Sequence, residues 1–128
     1  MISYGFMKEL VMPFEKAVEK VTEELKKEGF GILTRIDVKE KFKEKLNIDF
    51  KKYVILGACN PSNAHKAILA EETIGLMLPC NVIVYEKGDK TVVGIIKPTA
   101  AMGMIENEEL NNIAENVEAK LKKVYESI

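Results

Sequence analysis

The fold is decided by the stretch Asn81-Val82-Ile83-Val84-Tyr85-Glu86-Lys87-Gly88-Asp89-Lys90-Thr91-Val92-Val93-Gly94-Ile95-Ile96. It holds two runs rich in β-branched residues, Asn81–Glu86 and Lys90–Ile96, with Gly88-Asp89 between them. A Gly-Asp pair between two such runs is a strong sign of a β-hairpin. The stretch therefore predicts two antiparallel strands joined by a tight turn.

Three further strands are predicted upstream of this hairpin. Residues 2–11 carry closely spaced apolar groups and predict a short edge strand, and Phe30–Ile36 predicts a second strand. The run Tyr53–Ala58 is apolar without interruption. Such a run indicates a strand covered on both faces, or one on the inner face of a two-layer fold.

Helices are predicted between these strands and after them. Pro13 opens the first, whose apolar residues recur at steps of three and four, and Gly29 ends it as a left-handed residue. The others are predicted over Val38–Leu46 with Asp37 as cap, from Pro61 to about Glu72 with Asn60 as cap, and over 108–128 with Asn107 as cap. The buried face of the first is assigned to Phe14, Ala17, Val18, Val21 and Leu25, and that of the last to Leu110, Ile113, Val117, Leu121, Val124 and Ile128. Residues 97–103 are predicted to form a loop.

The order of these elements, β-α-β-α-β-α-β-β-α, indicates the fold class. The helices are too few and too unevenly spaced for a doubly wound sheet. We expect an α+β fold of one domain, residues 1–128. It is a two-layer sandwich with a mixed or antiparallel sheet of about five strands and the long helices packed on one face.

Composition narrows the range of partners. The net charge is −1 with no basic stripe, which argues against nucleic acid. Apolar runs are far shorter than the roughly 20 residues that span a bilayer, and no leader pattern is visible, so we expect no membrane association and a cytoplasmic location.

The composition leaves a thermophilic source open as an alternative. Lysine and glutamate supply most of the charge, which is a bias of hyperthermophile proteins, whereas the eight asparagines argue against such a source.

Two blocks hold both cysteines of the chain: Gly57-Ala58-Cys59-Asn60-Pro61 and Leu78-Pro79-Cys80-Asn81. Each sets a Cys-Asn pair beside a proline at the end of an apolar run, and His65 lies between the blocks. Backbone N–H groups at the helix beginning at Pro61 could stabilise a Cys59 thiolate. The candidate ligand-binding residues are Cys59, Asn60, His65, Cys80 and Asn81.

Each candidate also has a structural explanation. Cys59 and Cys80 could be small buried hydrophobes, Asn60 a helix cap, and His65 an exposed helix residue. The spacing of the cysteines matches neither a Cys-x-x-Cys redox pair nor a zinc site, so we expect no metal. A disulfide would require that their strands be neighbours. The sequence identifies no catalytic residue and no cofactor.

The two blocks, with Arg35-Ile36-Asp37-Val38, Ala64-His65-Lys66-Ala67 and Ile74-Gly75-Leu76, resemble the family called domain of unknown function 302. The resemblance runs from about Met7 to the C-terminus. It implies a small α+β fold, often dimeric, with no assigned catalytic residues. For function, the resemblance therefore implies little beyond self-association.

Two interpretations of function remain in competition. The first is a non-catalytic small-ligand-binding or assembly module, a homodimer, with a pocket for a small ligand or anion at the Cys59-Asn60-Pro61 turn. The second is a thiol-dependent redox protein or enzyme that uses Cys59, with Cys80 as resolving thiol and His65 as proton acceptor. No complete catalytic constellation is present, which favours the first.

Overall fold

A computed structural model describes residues 2–128; Met1, the first residue of the predicted domain, lies outside them. Its strands are β1 (Gly5–Leu10), β2 (Gly31–Asp37), β3 (Tyr53–Cys59), β4 (Cys80–Lys87) and β5 (Lys90–Ile96). Its helices are α1 (Phe14–Lys27), α2 (Val38–Leu46), α3 (Pro61–Ala70), α4 (Pro98–Ala101) and α5 (Glu108–Ser127), and Glu72–Met77 forms a 3₁₀ helix.

The five strands form one sheet in the order β1-β5-β4-β3-β2. Every neighbouring pair is antiparallel, so of the two sheet types expected the antiparallel one is present. The α+β class, the five strands and the predicted hairpin, now β4 and β5 with Gly88 at φ 61°, are confirmed. The predicted edge strand β1 is an edge of the sheet.

The main core lies between one face of the sheet and the long helices. All five residues assigned to the inner face of α1 are buried. They pack with alternate residues of the central strands, among them Leu56, Val82 and Val93. Tyr53–Ala58 therefore belongs to the inner face of a two-layer fold, since its buried side chains alternate at first with half-buried ones.

Two details of α5 differ from the prediction. Ile113 and Ile128, assigned to its buried face, are only half-buried, and Ala114 is buried in their stead. Ile128 lies just beyond the end of α5, whereas Ile113 and Ala114 differ because α5 contacts two cores. Ala114 and Leu110 belong to a second, smaller cluster with Ala67, Ile74 and Met102, and Ile113 packs against both clusters.

The chain between α3 and β4 also departs from the prediction. Helix α3 ends at Ala70 rather than about Glu72, because Glu71 adopts extended backbone angles (φ −147°, ψ 98°). The six-residue 3₁₀ helix then leads to Leu78, and the Leu78–Pro79 peptide bond is cis. Likewise, the predicted loop at residues 97–103 contains the four-residue helix α4, with Pro98 at its first position.

Candidate functional site

The two Cys-Asn blocks meet because β3 and β4 are neighbours in the sheet. Ala58 pairs with Cys80, and Gly57 pairs with Asn81. Cys59 is the last residue of β3, and Cys80 is the first residue of β4. In an antiparallel pair the end of one strand lies beside the start of the next, so both cysteines lie at the same end of the sheet.

A cavity of about 320 Å³ opens at this end of the sheet. We call it the thiol cavity, because both cysteines line it. The wall is formed by the ends of β2, β3 and β4, by α3, by Pro98 and Met102 and by α5; its residues are Phe30, Leu33, Ala58, Cys59, Asn60, Asn63, Ala64, Ala67, Ile68, Leu78, Pro79, Cys80, Pro98, Met102, Ile113, Ala114 and Val117. Since members of both core clusters contribute, the cavity lies where the two clusters meet.

The walls of the thiol cavity are almost wholly apolar. Asn60, Asn63 and the two thiols are the polar side chains among its lining residues, and none of those residues carries a charge. Leu33 and Ile68, both exposed to solvent, belong to the lining as well. Leu33 stands at the irregularity in the pairing of β2 with β3, which falls between Ile32 and Thr34. Because its apolar lining extends to the solvent, the cavity is suited to the entry and binding of an apolar ligand.

Asn60 holds the mouth of the cavity in shape. Its Oδ1 accepts a hydrogen bond from the backbone N–H of Asn63 at 3.3 Å, which caps α3 as the sequence predicts. Its Nδ2 donates to the backbone oxygen of Glu28 at 3.4 Å. Both ends of the Asn60 amide are thus occupied, and the residue ties α3 to the end of α1.

Burial determines the direction of the pKa shift of both cysteine thiols. Both are free. Burial raises the pKa of the Cys59 thiol above its ordinary value. Burial, and in second place the nearby Cys59, raises the pKa of Cys80 to about 11. For Cys59 the sequence left open whether burial or the N-terminus of α3 determines the pKa, and burial prevails. Low dielectric disfavours the thiolate, so both thiols are protonated near neutral pH.

The two remaining candidate residues lie elsewhere. His65 is exposed on α3 and does not line the thiol cavity. Asn81 is exposed and lines an adjacent cavity of about 240 Å³, which shares five lining residues with the first: Leu78, Pro79, Cys80, Pro98 and Met102. The structure thus brings together Cys59, Asn60 and Cys80, and not His65 or Asn81.

Sequence reasoning missed most of the cavity wall. Asn63 could have been predicted from the sequence, since helical spacing places it on the same side of α3 as Ala64, Ala67 and Ile68. No sequence pattern indicates Met102 and Val117, because they reach the site only through the packing of α4 and α5.

Within residues 2–128, no group of three or more His, Cys, Asp or Glu side chains could hold a metal ion, and no helix is long and apolar enough to cross a membrane.

Comparison with known proteins identifies similar chains. The family model described as domain of unknown function DUF302 matches residues 6–128. The crystal structure of an uncharacterized conserved DUF302 protein from Bacillus stearothermophilus is 32% identical, with a TM-score of 0.90, over 98% of each chain. The comparison with curated proteins gives no match.

Proposed function

Because this chain belongs to the DUF302 family, whose name assigns no activity, we propose its function from the geometry of the thiol cavity. The protein is a non-catalytic module that binds a small apolar molecule in this cavity and acts as a homodimer. The observation that carries the proposal is the uncharged apolar lining around a volume of about 320 Å³. Ligand sites in proteins are typically concave, mostly apolar and roughly 300–1,000 Å³ in volume.

The chemistry of the lining favours an apolar molecule over an anion. Burial of apolar surface contributes roughly 25 cal/mol per Å². An anion would need charged or multiple N–H partners, and no lysine, arginine or histidine lines the cavity. The sequence left a small ligand and an anion as alternatives, and of these the small ligand, in the form of a neutral molecule, has the better support.

A thiol-dependent activity has less support. Such an activity needs a thiolate as nucleophile, whereas burial raises the pKa of both Cys59 and Cys80. The proton acceptor considered from the sequence, His65, is not among the lining residues. The thiols then act as small neutral parts of the wall.

The binding function is tested with naphthalene, whose fluorescence is easily followed because the chain contains no tryptophan. We expect saturable binding to the wild type. Ala64→Phe, which fills the cavity from α3, should weaken binding at least tenfold. Ala119→Phe is the matched control, since Ala119 is exposed on α5 and away from the lining. Absence of saturable binding, or equal loss in both variants, would refute the proposal.

Self-association is supported by the sheet face opposite to α1 and α5, which we call the open face. One row of residues runs across all five strands on this face: Met7 pairs with Gly94, Gly94 with Ile83, Ile83 with Ile55, and Ile55 with Ile36. All five are uncharged, and none belongs to either core cluster. Ile36 is exposed, whereas the other four are half-buried or buried. Depletion of charge at the centre of a patch is typical of interfaces.

The open face has a suitable size for a dimer. Five strands about 4.8 Å apart, with about six residues of about 3.4 Å each, give a face of roughly 24 by 20 Å. Two such faces in contact would cover roughly 1,000 Å², which is near the lower limit for a specific interface.

Light scattering at micromolar concentration tests this part of the proposal separately. We expect twice the chain mass of 14.4 kDa. Ile36→Lys should weaken the dimer at least tenfold, because it brings a charge into the uncharged row, whereas Leu46→Lys on the exposed part of α2 should not. A monomer at every concentration would refute dimerisation and leave the binding function untouched.

A further inference from the structure

We propose that the ligand of the thiol cavity is a neutral molecule about the size of two fused rings, which forms a hydrogen bond with the side-chain amide of Asn63. This inference rests on the binding function proposed above and specifies the ligand for that site. It is carried by three observations: the volume of the cavity, the absence of charge among its lining residues, and the Asn63 amide, which makes no hydrogen bond within residues 2–128.

Volume sets the size of the ligand. An apolar cavity of about 150 Å³ takes up one benzene molecule. The thiol cavity, at about 320 Å³, is roughly twice as large and therefore has room for about two rings. A long fatty-acid chain would not fit wholly inside it, and a single ring would leave part of the wall without contacts.

The residues that line the cavity determine which ligand charge it accepts. Its residues include no aspartate, glutamate, lysine, arginine or histidine, and both of its thiols are buried enough to stay protonated near neutral pH. An ionised ligand would lose its hydration here without gaining an ionic partner. The cavity therefore discriminates in favour of neutral molecules and against acids of the same shape.

Asn63 sets the position of the ligand's polar group. The other amide of the lining, Asn60, is committed at both ends to the backbone of Asn63 and of Glu28. The side-chain amide of Asn63 makes no hydrogen bond within residues 2–128, although it offers both a donor and an acceptor. It shares its side of α3 with the apolar lining residues Ala64, Ala67 and Ile68. Because Asn63 is half-buried, a hydroxyl, carbonyl or amide on the ligand would replace water at this amide.

Three probes of matched shape test the inference: naphthalene, 2-naphthol and 2-naphthoate. We expect 2-naphthol to bind about 2- to 12-fold more tightly than naphthalene, the gain of one neutral hydrogen bond. The carboxylate of 2-naphthoate should weaken binding at least tenfold relative to 2-naphthol. Asn63→Leu should remove the advantage of 2-naphthol and leave naphthalene binding in place, which also reports that the variant is folded. Asn112→Leu, at an exposed position of α5, is the matched control.

The outcomes separate this inference from the proposed function. If naphthalene binds but 2-naphthol shows no advantage, or keeps its advantage in Asn63→Leu, then Asn63 is not the polar contact and the inference is wrong while the binding function stands. If 2-naphthoate binds most tightly, the neutral ligand class is wrong. If none of the three probes binds saturably, the binding function falls as well.

Discussion

Ala58 of β3 pairs with Cys80 of β4, and this one register position joins two sequence blocks that are about twenty residues apart. The 3₁₀ helix and α3 form the connection between the two strands, and α3 becomes a wall of the cavity at their end. The site is therefore a product of the antiparallel register, because a one-residue slip would turn Cys80 to the other face of the sheet.

The thiols should be slow to react. With its pKa raised to about 11, only about one part in a thousand of Cys80 is thiolate at pH 8, against about a tenth of a thiol with the ordinary pKa of 9.0. In the Cys59→Ser variant, which retains Cys80 alone, iodoacetamide should modify the protein at least about 100-fold more slowly than free cysteine. Mass spectrometry follows the reaction, and Cys80→Ser reports Cys59 in the same way. Modification of Cys80 at the rate of a free thiol would contradict the burial described above.

The same pKa predicts how stability depends on pH. The folded state binds the Cys80 proton more tightly than the unfolded state, so this contribution to stability is complete below the ordinary thiol pKa of 9.0 and is lost as pH rises toward about 11. Between pH 8 and pH 11 the wild type should lose about 2 kcal/mol more free energy of unfolding than Cys80→Ala. Urea unfolding at each pH measures the difference, and parallel profiles for the two proteins would contradict the prediction.

Gly57 should tolerate no side chain. A Cβ at this position would lie 2.7 Å from Cγ of Pro79 and would also collide with Oγ1 of Thr34. Gly57→Ala should therefore destabilise the protein by about 1–3 kcal/mol. Gly31→Ala is the matched control on the neighbouring strand, because a Cβ there meets nothing within 4 Å and should change stability by less than about 0.5 kcal/mol. Urea unfolding of both variants measures this, and equal effects would contradict the close packing of Pro79 on β3.

Asn107 should stabilise the protein more than an ordinary helix cap. Its Oδ1 accepts from the backbone N–H of Leu110 at 3.0 Å, and its Nδ2 donates to the backbone oxygen of Ala70 and to Oε1 of Glu71, both at 2.9 Å. It thus caps α5 and fastens the end of α3 to it. Asn107→Ala should cost about 2–3 kcal/mol, whereas Asp37→Ala, which removes only the exposed cap of α2, should cost about 1 kcal/mol. Thermal unfolding compares the two, and similar losses would show that the link to α3 adds nothing.

Local pattern was sufficient to predict the five strands and the four longer helices, but not the 3₁₀ helix, helix α4 or the contacts between distant segments. The buried face of α1 follows from helical spacing alone, and the β4–β5 hairpin follows from Gly88-Asp89 between β-rich runs. The inner face of α5 was only partly predicted, because Ala114 is buried by a second core that includes Met102 and Ile74. No local rule relates those residues.

The candidate site, too, was predicted only in part from local sequence pattern. Cys59, Asn60 and Cys80 were found because a Cys-Asn pair next to a strand end is visible in the sequence. Asn63 was overlooked, although helical spacing places it beside Ala64 and Ala67. His65 was included for its chemistry alone, and two positions along a helix turn a side chain by about 200°, away from Asn63.

The position of β1 has a consequence for the protein's synthesis. Gly5 pairs with Ile96, which lies 91 positions later (96 − 5), so the first strand to leave the ribosome finds its partner among the last. Until residues 90–96 emerge, β1 has no neighbour in the sheet, and the pairing closes a long loop at an entropic cost that slows it. Phe6, Met7 and Leu10 of β1 therefore have no strand partner until β5 has been made, and the sheet is completed by the first of its five strands.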